Sequence, residues 1–167
     1  MNLSKENQTG RFGKEAKKAK KKPKIKRSKW EFKYEDSIET VAVKNFQRFV
    51  RLRDCSNDGW GNCITCGEPI RWNGCDAGHF RSRRWKNTLF NEKNCNAQCK
   101  HCNDKRGLSG NMGRYVITID EKYGAGTGEH LKSIERIIVH RKRNAFIALN
   151  EYYLKKCRDL KKVNIYG

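Results

Sequence analysis

The chain has 167 residues, 36% apolar and 34% charged, and its 38 Lys and Arg against 18 Asp and Glu leave a formal net charge of +20. That length suits one domain with a small core, so a bound metal or another cross-link is an expected source of stability. The charge calls for a polyanionic partner, with nucleic acid first and an anionic membrane surface second. No apolar run is long enough to span a bilayer, and no apolar stretch follows the N-terminal basic residues as a secretory leader requires. The eight cysteines are therefore expected as thiols in a reducing compartment.

Residues 1–29 hold twelve Lys and Arg against two Glu, half of the net charge, with almost no large apolar side chain. Such a block buries too little to offset its chain entropy, so it is expected to be a disordered basic arm that clings to phosphates. The alternative is a merely solubilising tail. From Ile38 to Arg53 the apolar positions Val41, Val43, Phe46, Phe49, Val50 and Leu52 recur at mostly helical spacing, with Lys44, Arg48, Arg51 and Arg53 between them. This predicts one amphipathic helix with a basic outer face. Gly59 and Gly61 break the chain ahead of the first cysteine pair, and residues 63–106 are short segments punctuated by Gly, Asn and Cys.

Arg114 to Tyr123 reads two ways. Val116, Ile117 and Ile119 favour a strand, while the spacing and Gly124 fit a helix with a glycine cap. Gly124, Gly126 and Gly128 mark a loop, and Leu131 to about Lys162 reads as one or two helices. Phe146, Leu149, Tyr153 and Leu160 form an apolar stripe there, better suited to packing than to a cofactor.

Cys63 and Cys66, then Cys99 and Cys102, form two Cys-x-x-Cys pairs separated by 32 residues. Each pair can curl into a knuckle offering two thiolates to one Zn2+, and a site closed by four cysteines stabilises a fold without doing chemistry. Redox-active dithiols are the alternative. His101 lies between two ligands and could compete with a cysteine, but a solvated role is expected. Cys55, Cys75, Cys95 and Cys157 have no such spacing and are expected as free thiols.

Between the knuckles lie Asp76, His79, Asn91 and Asn94, and Asn103 follows the last cysteine. Hydrolysing a phosphodiester needs a base for the attacking water, a cation on the phosphate and a device that aims the base. A neutral imidazole suits the first, a hard cation held by oxygen ligands the second, and an asparagine bonding backbone across a hairpin the third.

This layout, CxxCG, then a His at a strand end, then N-x4-C-x-x-C-N, resembles the His-Asn-His (HNH) endonucleases with their ββα-metal motif. It is most similar to the phage lambda NinG (Rap) recombination endonuclease family. The likeness is carried by FQRFVRLRD, CITCG, DAGHF, LFNEKNCNAQCKHCN, SGNMGRY and KYG, over residues 39 to about 124, with the basic arm outside it. The resemblance implies His79 as general base, Asn94 as the residue that holds the hairpin, Asn103 as a ligand of a catalytic Mg2+ or Mn2+, and Cys63, Cys66, Cys99 and Cys102 on structural zinc. The position before the base, an acid or His in many HNH enzymes, is Gly78. Asp76 is then the expected second ligand of the catalytic cation, or else only a turn cap.

The resemblance further implies cutting of branched DNA, D-loops and Holliday-type junctions, during phage recombination in the cytoplasm of a bacterial host. Arg81, Arg83, Arg84 and Lys86 are candidate phosphate contacts, or a solvated face. Trp72 and Trp85 would stack on unpaired bases or pack around the zinc site. Symmetric cutting of a junction would favour a homodimer, with the C-terminal stripe as its face. The rivals are a less selective nicking nuclease and a zinc-organised nucleic-acid binder in which His79 is structural. The expected architecture is α+β: a ββα-metal hairpin and helix on a treble-clef-like zinc centre, flanked by helices. Residues 36–125 form the core with its N-terminal helix, and residues 126–167 a helical C-terminal segment.

Overall fold

A computed structural model of the chain describes residues 37–160. The expected arm at residues 1–29 lies outside them. Helix α1 spans Ile38–Arg53, the bounds its apolar spacing implied. Ser37 caps it, its hydroxyl accepting the Thr40 N–H at 3.2 Å and so satisfying an amide with no helical partner. Two antiparallel hairpins follow. Strands β1 (Trp60–Asn62) and β2 (Pro69–Arg71) pair Gly61 with Ile70. Strands β3 (Asp76–His79) and β4 (Cys95–Gln98) pair Asp76 with Gln98 and His79 with Cys95. The short helix α2 (Lys100–Asn103) leaves β4 directly, and α3 (Met112–Tyr123), α4 (Thr127–Ile134) and α5 (Arg143–Leu160) complete the described chain. Helices and small antiparallel sheets make this an α+β fold.

The ambiguous stretch is helical. Tyr115 and Ile119, one turn apart, are both fully buried against Phe80 and Leu131 while Ile117 between them is exposed, as on a helix and unlike a strand, where all three would share one face. Gly124 follows it at φ +103°, the left-handed region open to glycine. The expected glycine loop is shorter than its three glycines suggested, because Gly128 lies inside α4. A Cβ there would come within 2.6 Å of Val116 Cγ2, so glycine lets α4 sit close on α3, and its N–H donates to Asp120 Oδ1 at 2.8 Å.

The main core joins α1 to α5. Phe46, Phe49 and Val50 meet Phe146, Tyr153 and Cys157, with Leu89 and Phe90 between them. The Phe46 and Tyr153 rings meet edge-on at 4.9 Å. Full burial of a Phe contributes about 2–3 kcal/mol, so this seam carries much of the stability. The α5 stripe Phe146, Leu149, Tyr153 and Leu160 packs against this core within the chain. Trp72 also packs against this core.

Candidate metal centre and active site

The turn between β1 and β2 carries Cys63 and Cys66, and the entry to α2 carries Cys99 and Cys102. Gly67, at φ +78°, closes the first knuckle by donating its N–H to the Cys63 carbonyl at 2.9 Å. The four Sγ atoms all lie within 4.8 Å of one another, with Cys66 and Cys99 at 3.8 Å. Tetrahedral zinc at about 2.3 Å from each sulfur spaces its ligands roughly 3.8 Å apart, so these residues fit one such ion. Backbone amides support the sulfurs: Cys99 N–H donates to Cys63 Sγ at 3.3 Å and Cys102 N–H to Cys99 Sγ at 3.4 Å. Burial works against a thiolate at Cys63, but the Thr65 hydroxyl and neighbouring N–H groups outweigh it and bring its pKa down to about 6. The cluster can therefore hold a structural metal such as zinc. His101 is exposed and outside it, and Cys55, Cys75, Cys95 and Cys157 also lie outside it, in no disulfide.

Strand β3 then presents its alternating side chains to two sides. On one, His79 packs its ring 6.0 Å from that of Phe46. Its Nε2 lies 3.1 Å from the Leu89 carbonyl oxygen, an acceptor that requires the proton on Nε2. Nδ1 is then unprotonated and faces the Cys95 thiol at 3.5 Å. Burial lowers the His79 pKa to about 4, with the nearby Arg83 charge adding to it and the Leu89 carbonyl opposing it. The imidazole is neutral at physiological pH.

The loop from Phe80 to Asn94 returns to β4 through one side chain. Asn94, fully buried, accepts the Arg81 N–H on Oδ1 at 2.7 Å and donates from Nδ2 to the Arg81 carbonyl at 3.1 Å and the Thr88 carbonyl at 3.0 Å. Holding Thr88 places the next residue, Leu89, whose carbonyl meets His79. Neither Leu89 nor Cys95 was singled out in the sequence, since a backbone carbonyl leaves no mark and Cys95 has no spaced partner.

On the other side of β3, Asn103 Nδ2 donates to Asp76 Oδ2 at 3.2 Å, so the two residues expected on a catalytic cation are neighbours. Gly78 lies two residues after Asp76 on β3. A Cβ on Gly78 would overlap Gln98 Oε1 and stand 3.1 Å from Asn103 Oδ1. Gln98 is another residue that sequence reasoning passed over, and the only signal for it was its pairing with Asp76 across the hairpin.

The four expected phosphate contacts are not equivalent. Arg81 donates to Glu135 at 2.5 Å, Lys86 pairs with Glu39, and Arg84 lies over the Trp85 ring at 4.6 Å. Arg83 is exposed and its charge reaches His79. Trp85 has a second guanidinium, that of Arg136, 6.0 Å from its ring centre.

These elements define an α+β protein organised by a four-cysteine cluster, with a clamped polar loop beside it. Residues 1–164 match the bacteriophage lambda NinG protein family, and the chain belongs to that family. The match extends beyond the stretch that carried the likeness and takes in the basic arm. No curated protein and no solved structure matches the chain. Among the described residues, no helix is long and apolar enough to cross a membrane.

Proposed function

We propose that the chain is a metal-dependent, structure-selective DNA endonuclease of the HNH type, acting on branched recombination intermediates such as D-loops and Holliday-type junctions. The observation that carries this reading is the linked pair of hydrogen bonds by which Asn94 holds Thr88 and the Leu89 carbonyl holds His79 in its Nε2-protonated form. In that tautomer Nδ1, which meets the Cys95 thiol at 3.5 Å, is the nitrogen that would exchange this contact to take a proton from water, whose oxygen attacks phosphorus in line as the bond to the leaving oxygen breaks. A divalent Mg2+ or Mn2+ bound by Asp76 and Asn103 would neutralise the phosphate and the leaving oxygen. Asp76 and Asn103 suit such an ion, since they bring hard oxygen donors together where β3 meets α2. The tetracysteine zinc would hold the frame. Arg83, free of acidic partners among the described residues, is the best placed of the four bases to meet a phosphate. The net charge of +20 supports a polyanionic partner. The choice of branched DNA rests on the family resemblance.

One observation favours a second reading. Both His79 ring nitrogens have partners within the chain and the ring packs on Phe46, as a structural histidine would in a zinc-organised nucleic-acid binder. Labelled four-way junction, D-loop and linear duplex, each incubated with zinc-loaded protein in Mg2+ or in EDTA, separate the readings. A nuclease of the proposed kind cuts the branched substrates with Mg2+ and nothing with EDTA. Equal cutting of all three reduces it to a less selective nicking enzyme. Binding without cutting under Mg2+ and Mn2+ leaves the binder.

A further inference from the structure

Gln98 is fully buried, and its amide is fixed in orientation. Nε2 donates to Thr65 Oγ1 at 3.2 Å and to the Gly110 carbonyl at 2.8 Å, which uses both of its hydrogens. The oxygen is therefore turned the other way, and it has no hydrogen-bond partner. A buried carbonyl oxygen left without a partner costs about 1–3 kcal/mol, so a fully buried one aimed at a fixed point is expected to have an occupant there. Oε1 itself lies against Gly78, where a Cβ would overlap it and would stand 3.1 Å from Asn103 Oδ1, so the two amide oxygens flank the same place. Asn103 is itself oriented, because its Nδ2 donates to Asp76 Oδ2 and so turns Oδ1 away from that carboxylate. Two amide oxygens thus meet at one place, next to the carboxylate that Asn103 Nδ2 holds. Acceptor oxygens converging in this way repel one another unless a cation lies among them, and oxygen-only donor sets suit Mg2+ and Mn2+.

We propose that Gln98 supplies a protein oxygen to the divalent cation of Asp76 and Asn103, replacing a ligand that Gly78 lacks. This rests on the reading of Asp76 and Asn103 given above. Gly78 has an ordinary strand φ, so the Gln98 amide, and not the backbone, is what excludes a side chain there. The site has exchanged a ligand on β3 for one reaching across from the paired strand β4.

The test is Mn2+ binding to the full-length, zinc-loaded protein without DNA, followed by the electron paramagnetic resonance signal of free Mn2+. Asp76→Ala, Asn103→Ala and Gln98→Ala are each expected to weaken binding by on the order of tenfold or more. The double variant Gly78→Asp/Gln98→Ala puts a carboxylate into the space the amide vacated, and is expected to recover Mn2+ affinity to within about threefold of wild type. Zinc content and thermal midpoint are measured on every protein. If Gln98→Ala keeps its zinc and binds Mn2+ as wild type does while Asp76→Ala does not, the Gln98 assignment falls and the Asp76–Asn103 site stands; a water bridging the two amide oxygens would give that result. If the folded double variant binds no better than Gln98→Ala, the space before Gly78 is not a ligand position and the proposal also falls. If wild type takes up no Mn2+, the cation reading of Asp76 and Asn103 fails, and the role of Gln98 with it.

Discussion

Asn94 grips both backbone polar groups of Arg81, taking its N–H at 2.7 Å and donating to its carbonyl at 3.1 Å, thirteen residues back along the chain. One buried amide thereby closes the whole loop between β3 and β4. Asn94→Ala removes three hydrogen bonds and strands both backbone groups of Arg81, while the Thr88 carbonyl keeps the Asn91 N–H, so it should cost about 3 kcal/mol in urea unfolding of the zinc-loaded protein. Asn94→Asp keeps the acceptor but loses both donated bonds, and should fall between wild type and Ala. A cost within 0.5 kcal/mol, about the scatter for surface sites, would show that the loop does not depend on this clamp.

Removing the metal should unfold the region between the hairpins. Cys102 is fully buried, and Cys102→Ser leaves the ion three thiolates. The wild type is expected to carry one zinc per chain by elemental analysis, and the variant to lose it together with at least about 4 kcal/mol of stability. Wild-type protein stripped by a strong chelator should behave like the variant and recover on adding zinc. A metal-free protein with an unchanged melting curve would contradict a structural metal at this cluster.

The pH dependence follows from His79, whose pKa is down at about 4. Between pH 6.5 and 4 the unfolded chain binds a proton that the folded chain refuses. The stability due to a neutral His79 is therefore intact above pH 6.5 and is lost as pH falls toward 4, amounting to about 3 kcal/mol. Nitrogen-15 spectra of the imidazole should show the Nε2-protonated neutral ring down to about pH 5. A ring that titrates near 6.5 would mean that His79 is neither buried nor held by Leu89 as described.

Arg81 and Arg83 should separate cleanly. Arg81→Ala leaves Glu135 without its closest partner and is expected to lower the thermal midpoint. Arg83→Ala should leave the midpoint unchanged, weaken binding to a four-way junction several-fold and reduce the steepness of its salt dependence by about one phosphate contact. Equal behaviour of the two in both assays would remove the distinction drawn between them.

Much of the frame was legible because its signals are local. The apolar spacing of residues 38–53 and the two Cys-x-x-Cys pairs each lie within a few residues, and the structure places α1 and the sulfur cluster there. Residues 114–123 stayed ambiguous because Val116, Ile117 and Ile119 favour strands, and only the burial of Tyr115 and Ile119 with Ile117 exposed between them decides for a helix. The ion pairs of Arg81 with Glu135 and Lys86 with Glu39 span 54 and 47 residues, so no local pattern announced them. Gln98 was hidden for a related reason. Its importance lies in facing a glycine on the neighbouring strand, and a glycine leaves no side chain to read.

The central claim is that His79 is the base of a phosphodiester hydrolysis. The measurement that tests it most directly is single-turnover cleavage of a labelled four-way junction in Mg2+, comparing wild type with a His79→Ala protein that retains its zinc and its affinity for the junction. General-base catalysis contributes about 10²–10⁴-fold, so the variant should cut at least a hundredfold more slowly. A folded His79→Ala variant that cuts at the wild-type rate would contradict the assignment and leave His79 as a packing residue of the hairpin.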